Sequence, residues 1–260
     1  MSLLDPKART QIGVEQQSAL LGKAAAEPTT LLEASWRDFV FAEVWSRPGL
    51  DRRSRFLISI SAATCSGAAA ETLDGYIRGA LTLGELTLTE LREAALHLAV
   101  YASWGVGTVL DKAITRVANA LGLPPVAIAP IQSAPWDKQN RLDVGAASFN
   151  EVMVFPSPPP VTPYFEAGIV NFVFAEMWNR PGLDQRARRW VTLVGVAHSS
   201  STTPIRTHTY AAMKSGNASL PEMQEFVLHF AIDAGWPKAS VMQGAVIEMG
   251  KRVAEGLEYA

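Results

Sequence analysis

The side chains able to do acid–base or ligand chemistry in this sequence fall into two stripes of matched spacing. Glu225, His229, Asp233 and Trp236 stand at i, i+4, i+8 and i+11, and Glu93, His97, Tyr101 and Trp104 repeat that spacing earlier. Such intervals put all four side chains on one face of a helix. A metal site needs three or four converging ligands. Positions i and i+8 lie ~12 Å apart along a helix, so at most two neighbours could share an ion. Tyr101 in the place of Asp233 removes a further ligand, and no metal is expected. The stripes read instead as polar faces that pack the two halves of the chain together or meet a neighbouring chain, with a buried Glu–His hydrogen bond.

His208 follows Ile205-Arg206-Thr207, and His198 opens the Ser/Thr-rich run 198–203, a loop in this reading. Imidazole titrates near neutrality, which suits proton transfer. Glu43 and Glu176 stand four residues before Arg47 and Arg180. That is the spacing of an intrahelical ion pair ending a helix at Arg-Pro-Gly; the alternative is a carboxylate lining a pocket beside His208. Cys65 is the single cysteine. It can form no disulfide within the chain and reads as a small buried filler.

The elements that must position these residues are written twice. FAEVWSRPGLD at 41–51 returns as FAEMWNRPGLD at 174–184, with nine of eleven positions identical at an offset of 133. Arg55 then matches Arg188, and after the loss of one residue Glu90, Glu93 and His97 match Glu222, Glu225 and His229. Each copy is long enough to hold its own core, so the chain reads as a duplicated helical domain rather than a solenoid. The expected units are residues 1–125, a linker over 126–140, and residues 141–260. The second unit includes the Pro-rich segment 154–163, which should run extended because proline breaks a helix interior. Residues 50–63 place Leu50, Phe56, Leu57 and Ile60 at helical spacing, with arginines on the opposite face. Asp51 and Asp184 are expected N-caps, and Gly84 and Gly216 end the helices before them.

Of the 260 residues, 48% are apolar and 18% charged, a globular composition. The formal charge of −2 supplies no general attraction to nucleic acid or anionic lipid, so neither is an expected partner. The start, MSLLDPKART, does not read as a secretory signal, and no apolar run approaches the ~18 residues of a membrane span. A cytoplasmic location is expected.

The motifs FxEVWxRPGLDxxxR, a helix ending in GALxxG, E-x-x-E-x-x-x-H and a closing Gly-Trp-Pro together resemble the carboxymuconolactone decarboxylase family. The resemblance covers residues 11–120 and 141–257. The second copy is the closer, with Ile205-Arg206-Thr207-His208 where the family reads Leu-Arg-Leu-His. The first has Leu73-Asp74-Gly75-Tyr76 there, and keeps Arg78 where the second has Tyr210. The resemblance implies an all-α fold of two tandem carboxymuconolactone decarboxylase-like domains, related to the alkylhydroperoxidase D-like fold. It also implies a ring of six domains and cofactor-free loss of CO2 from a carboxylated lactone in aromatic-ring catabolism. Redox relatives carry a Cys-x-x-Cys seven and four residues before the histidine. Here those positions are Ser201 and Pro204, or Ala69 and Thr72, so thiol peroxidase chemistry has no nucleophile.

Losing CO2 from such a substrate requires a grip on carboxylate, donors for the developing enolate oxygen, and a proton for carbon. On this reading His208, Glu176 and Arg188 are the catalytic candidates. Arg206, Trp178, His229, Trp236 and His198 are the candidates for binding a small carboxylate substrate, and Tyr76, Glu43, Arg55 and His97 form the first copy's counterpart pocket. Other proton-transfer reactions on the same fold, such as isomerisation, lactone opening or a natural-product step, stay open, as does a non-catalytic helical assembly module. Three two-domain chains would supply the six positions of the ring, so a homotrimer is expected.

Overall fold

The computed structural model describes residues 4–131 and 137–260, and every regular element among them is helical. Residues 132–136, inside the expected linker, lie outside the described residues, as do residues 1–3 of the first unit. The first half runs α1 (Pro6–Leu21), α2 (Leu31–Ser35), a π-helix π1 (Trp36–Trp45), α3 (Arg52–Ser66), α4 (Ala70–Thr82), α5 (Leu88–Tyr101) and α6 (Trp104–Ala120). The second runs α7 (Lys138–Met153), π2 (Tyr164–Phe174), a 3₁₀ turn (Met177–Asn179), α8 (Gln185–Ser199), α9 (Thr202–Lys214), α10 (Leu220–Ala234) and α11 (Trp236–Ala254). Apart from α2 and the 3₁₀ turn, the order of elements recurs. The Pro-rich residues 154–162 carry no helix. No described helix is long and apolar enough to cross a membrane.

Local signals in the sequence set the helix ends. Asp51 accepts the amide of Ser54 and Asp184 that of Ala187, so each Arg-Pro-Gly-Leu-Asp turn feeds directly into a long helix. Helices α5 and α10 begin with reciprocal capping boxes, Thr87 with Glu90 and Ser219 with Glu222. Gly13 and Gly145 let α1 and α7 lie against π1 and π2. A Cβ at either would stand 2.4 Å from the Arg37 carbonyl oxygen or 2.0 Å from that of Val170.

Helices α3 and α8 form the centre. They pack on each other, α3 also on α10 and α8 also on α5. One core therefore runs through both halves, with Phe56, Leu57 and Ile58 sharing it with Trp190, Val191 and Phe226. Because α3 and α8 are covered on several sides, their arginines are not confined to one side, and some are buried while Arg52 stays exposed. Arg55, Arg188 and Arg189 are 1%, 1% and 0% exposed. A one-stripe pattern describes a surface helix, and these two are interior.

Arg55 and Arg188 each find a carboxylate in the opposite half, whereas Arg189 does not. Glu225 on α10 takes Arg47 at 2.7 Å and Arg55 at 3.3 Å; Glu93 on α5 takes Arg180 at 2.7 Å and Arg188 at 3.3 Å. These bonds correct two expectations. Glu225 does not bond His229, since both are held separately by Arg55. Glu43 pairs with Arg9 at 3.3 Å instead of Arg47, because the Arg-Pro-Gly turn carries Arg47 to the seam between halves. Glu176 does reach Arg180 at 3.4 Å and also binds Arg141 at 3.0 Å.

Candidate functional site

The exchange of stripes puts one residue of each half into the other half's polar cluster. On the first-half side, Arg55 donates to His229 Nδ1 at 3.1 Å, which leaves the ring proton on Nε2. His229 Nε2 meets Ser59 Oγ at 3.0 Å, and Ser59 donates to Asp233 at 2.7 Å. The Tyr76 hydroxyl donates to the other oxygen of Asp233 at 3.4 Å. Burial pushes the Asp233 carboxyl up to about 7 against the hydrogen bonds of Ser59 and Tyr76. Tyr76 borders a cavity of about 540 Å³ that is also lined by Lys23, Glu27, Glu33 and Glu71. Every polar group in this chain of bonds is engaged by the protein itself.

The second-half side differs. A cavity of about 440 Å³ opens among α7, π2, α8 and α9. Phe149, Phe155, Phe165, Ile169 and Phe174 wall it, and no charged side chain lines it. The i→i+5 repeat of a π-helix gives more than four residues per turn, so Phe165, Ile169 and Val173 of π2 share one face. Among the polar groups on the wall are His208 of α9 and Tyr101, which α5 contributes from the first half. Their rings meet edge to face, 5.3 Å between centroids.

Behind His208 lies Arg189, fully buried. It donates to His208 Nδ1 at 3.4 Å, to Asn217 Oδ1 at 3.2 Å and to the Val152 carbonyl. Its guanidinium covers the Trp178 ring at 4.9 Å. No carboxylate among the described residues pairs with it. Burial alone lowers its pKa to about 10, so it stays charged at neutral pH. Burial, and then the Arg189 charge, hold the His208 imidazole down to about 3. His208 is thus neutral with its proton on Nε2, which has no partner among the described residues. Tyr101, pushed up to about 12 by burial, accepts the Trp178 indole N–H at 2.8 Å and keeps its own proton to donate.

Among the residues expected to form a site, His208 lines this cavity and the others do not. Its expected near-neutral titration is overturned by burial beside a cation. Trp178 lies beneath, holding Tyr101 and Arg189. Glu176 and Arg188 are engaged at the seam. Arg206 turns outward to Glu248, as two residues along a helix from His208 must point to another side. Trp236 is 57% exposed against Phe39. His198 ends α8 rather than lying in a loop, where it meets Lys238 at 2.7 Å. His229, Arg55 and Tyr76 belong to the first-half cluster, whereas Glu43 binds Arg9 outside it. His97 bonds Thr192 at 2.9 Å on the second-half side. Sequence reasoning missed Tyr101 and Arg189. The signal was present: Arg189 replaces Phe56 of the first copy, a charge where the repeat has a core aromatic.

Comparison with known proteins gives the same family that the motifs resemble. The family model described as carboxymuconolactone decarboxylase matches residues 31–114, which lie in the first half. A 4-carboxymuconolactone decarboxylase of Acinetobacter baylyi is 34% identical over 87 residues, 34% of this chain and 63% of that protein. A nitrosuccinic acid decarboxylase of Metarhizium robertsii is 42% identical over 64 residues, 25% of this chain and 43% of that protein. The matches thus span less than two thirds of either relative.

A pH dependence of stability follows from the buried imidazole. The folded pKa of His208 lies below the ~6.5 of an unfolded histidine, so the unfolded chain takes up the proton first as pH falls. The contribution is full above ~6.5 and is lost as pH falls toward about 3. His97 and His229, also held low by burial, act in the same direction, while Asp233 opposes them. Urea unfolding between pH 7 and 4 should show a falling midpoint, with a shallower fall in His208→Gln. An unchanged slope in that variant contradicts the buried neutral imidazole.

Proposed function

We propose that this chain, whose residues 31–114 match the carboxymuconolactone decarboxylase family model, is a cofactor-independent carboxy-lyase whose reacting site is the second-half cavity. The observation that carries the reading is Arg189, a fully buried cation with no carboxylate beside it, bonded to a histidine on a cavity wall. A buried charge needs compensation. An anionic ligand held against His208 and Tyr101 supplies it. The relatives from Acinetobacter baylyi and Metarhizium robertsii are both named as decarboxylases, which supports the same class of reaction.

The arrangement suits each step. The substrate carries a carboxylate and a conjugated or β-placed acceptor such as a lactone carbonyl. The bond from carbon to the carboxylate breaks, CO2 leaves, and the electron pair moves to the acceptor oxygen. His208 Nε2–H holds the carboxylate until it leaves while Tyr101 O–H donates to the acceptor oxygen, and the Arg189 charge behind His208 offsets the negative charge in a site poor in water. The carbon then takes a proton from solvent.

The two halves are copies of unequal competence on this reading. Tyr76 stands where the second half has His208, and its proton is already given to Asp233. CO2 release should be followed with activated carboxylic acids, 4-carboxymuconolactone among them. His208→Ala should lose ~10²-fold or more and Tyr101→Phe ~10-fold or more, the usual scale for acid–base and oxyanion groups, while Tyr76→Phe should lose less than either. Equal losses at Tyr76 and His208 sink the asymmetry, and no release from any activated acid sinks the lyase reading.

Assembly as a closed trimer of two-domain chains belongs to the same proposal. Leu31 is 91% exposed, and Trp104 and Trp236, at matching helix starts, stay open to solvent. Apolar residues so exposed suit contacts between copies. Light scattering should return a mass near three times 28.1 kDa; a monomer, or a dimer unchanged on dilution, contradicts it.

A further inference from the structure

The walls of the second-half cavity carry information about its ligand beyond the class of reaction. Resting on the reading of that cavity as the reacting site, we propose that the substrate is a monocarboxylate with a bulky apolar body, and that acids with a second carboxylate are discriminated against. The cavity of about 440 Å³ is lined by aromatic and aliphatic side chains, a few hydroxyls and one imidazole, without a lysine or arginine. Phe149 forms a continuous apolar wall with Phe155 and Phe174, with ring centroids 5.6 and 4.6 Å away.

The supply of positive charge allows one anion. Arg189 does not itself line the cavity and reaches it through its bond to His208, with further N–H groups held by Val152 and Asn217. The remaining arginines nearby have carboxylates of their own: Arg188 with Glu93, and Arg206 with Glu248. A second carboxylate in this cavity would lose its hydration against a mostly apolar wall with no cation in return, which penalises it heavily. An apolar body gains there by leaving water. Matching the anion to the His208–Tyr101 pair also places the body along π2 and α7, so one site both fixes orientation and selects the remainder of the molecule.

The first-half cavity shows that this lining is not imposed by the fold. At the corresponding place it presents Lys23, Glu27, Glu33 and Glu71. Between the two cavities, an uncharged wall is found in the second half, where the uncompensated cation also lies. The required substrate is therefore a hydrophobic acid with one carboxylate and one electron-accepting group β to it or conjugated with it.

Calorimetric titration of the full chain with three stable probes tests the proposal. These are trans-cinnamate, its neutral amide, and trans,trans-muconate, which is a dicarboxylate without an aromatic body. Cinnamate should bind at least ~10-fold more tightly than either of the others, a difference of ~1.4 kcal/mol. His208→Gln and Tyr101→Phe should each weaken cinnamate, and Thr203→Arg, adding a cation at an exposed lining position, should improve muconate relative to cinnamate. Muconate binding as tightly as cinnamate, with both responding to His208→Gln, overturns the monocarboxylate inference and leaves the reacting site standing. Equal binding of the amide overturns the anion-anchored arrangement. No cinnamate binding, or binding indifferent to His208→Gln and Tyr101→Phe, overturns both.

Discussion

The structure depends on how buried arginine charge is neutralised between two halves of one chain. Arg47 and Arg55 are held by Glu225 from the second half, and Glu93 from the first half holds Arg180 and Arg188. Removing Glu225 would leave Arg55, and removing Glu93 would leave Arg188, without a carboxylate in low dielectric, at a cost on the order of several kcal/mol. The halves are therefore coupled through α3, α5, α8 and α10 as one core, and each supplies a side chain to the other's polar cluster. Arg189 is the exception at this seam. It has hydrogen bonds and a Trp178 face but no carboxylate, and the proposed ligand completes what the protein leaves open.

Comparing the two clusters separates what the repeat conserves in structure from what it changes in chemistry. Ser59 and Thr192 occupy equivalent positions, and each bonds the histidine of the opposite stripe. Around that shared bond the groups change. The first half combines Tyr76 with Asp233, and the second combines His208 with Tyr101. The first arrangement closes on itself, since phenol, carboxyl, hydroxyl and imidazole satisfy one another. In the second, Phe56 of the repeat has become Arg189, and the imidazole N–H faces the cavity with no partner among the described residues, while the Tyr101 phenol lies beside it and also within reach of Thr192. A preserved scaffold can thus host two different polar sites, because the seam bonds carry the packing and the cavity groups do not.

Much of the fold was legible in the sequence. The doubled Arg-Pro-Gly-Leu-Asp turns, the capping boxes and the apolar periodicity give all-helical elements in the observed order, and the stripes starting at Glu93 and Glu225 do cross between halves. The partners within those stripes were not legible. A local reading pairs Glu43 with Arg47 and Glu225 with His229 because they are four residues apart, whereas in the fold they lie beside residues distant in sequence. Arg189 escapes a local reading for the same reason: one apolar stripe with arginines beside it suggests a surface helix, and α8 is covered on several sides. His208 could be picked out by position, but its charge state could not, since that depends on burial and on the arginine behind it. Arg206 and Trp236 were drawn toward the site by their types, and helix geometry turns both outward.

The central claim is that His208 is a neutral donor poised beside a cation that awaits an anion. Nitrogen-15 NMR of histidine-labelled protein, titrated with and without cinnamate, tests it most directly. In the free protein His208 should remain neutral with its proton on Nε2 down to pH 5, and bound cinnamate should shift its titration upward, because the ligand's charge offsets that of Arg189. A His208 that titrates near 6.5 in the free protein, or one whose resonances ignore the ligand, contradicts the account.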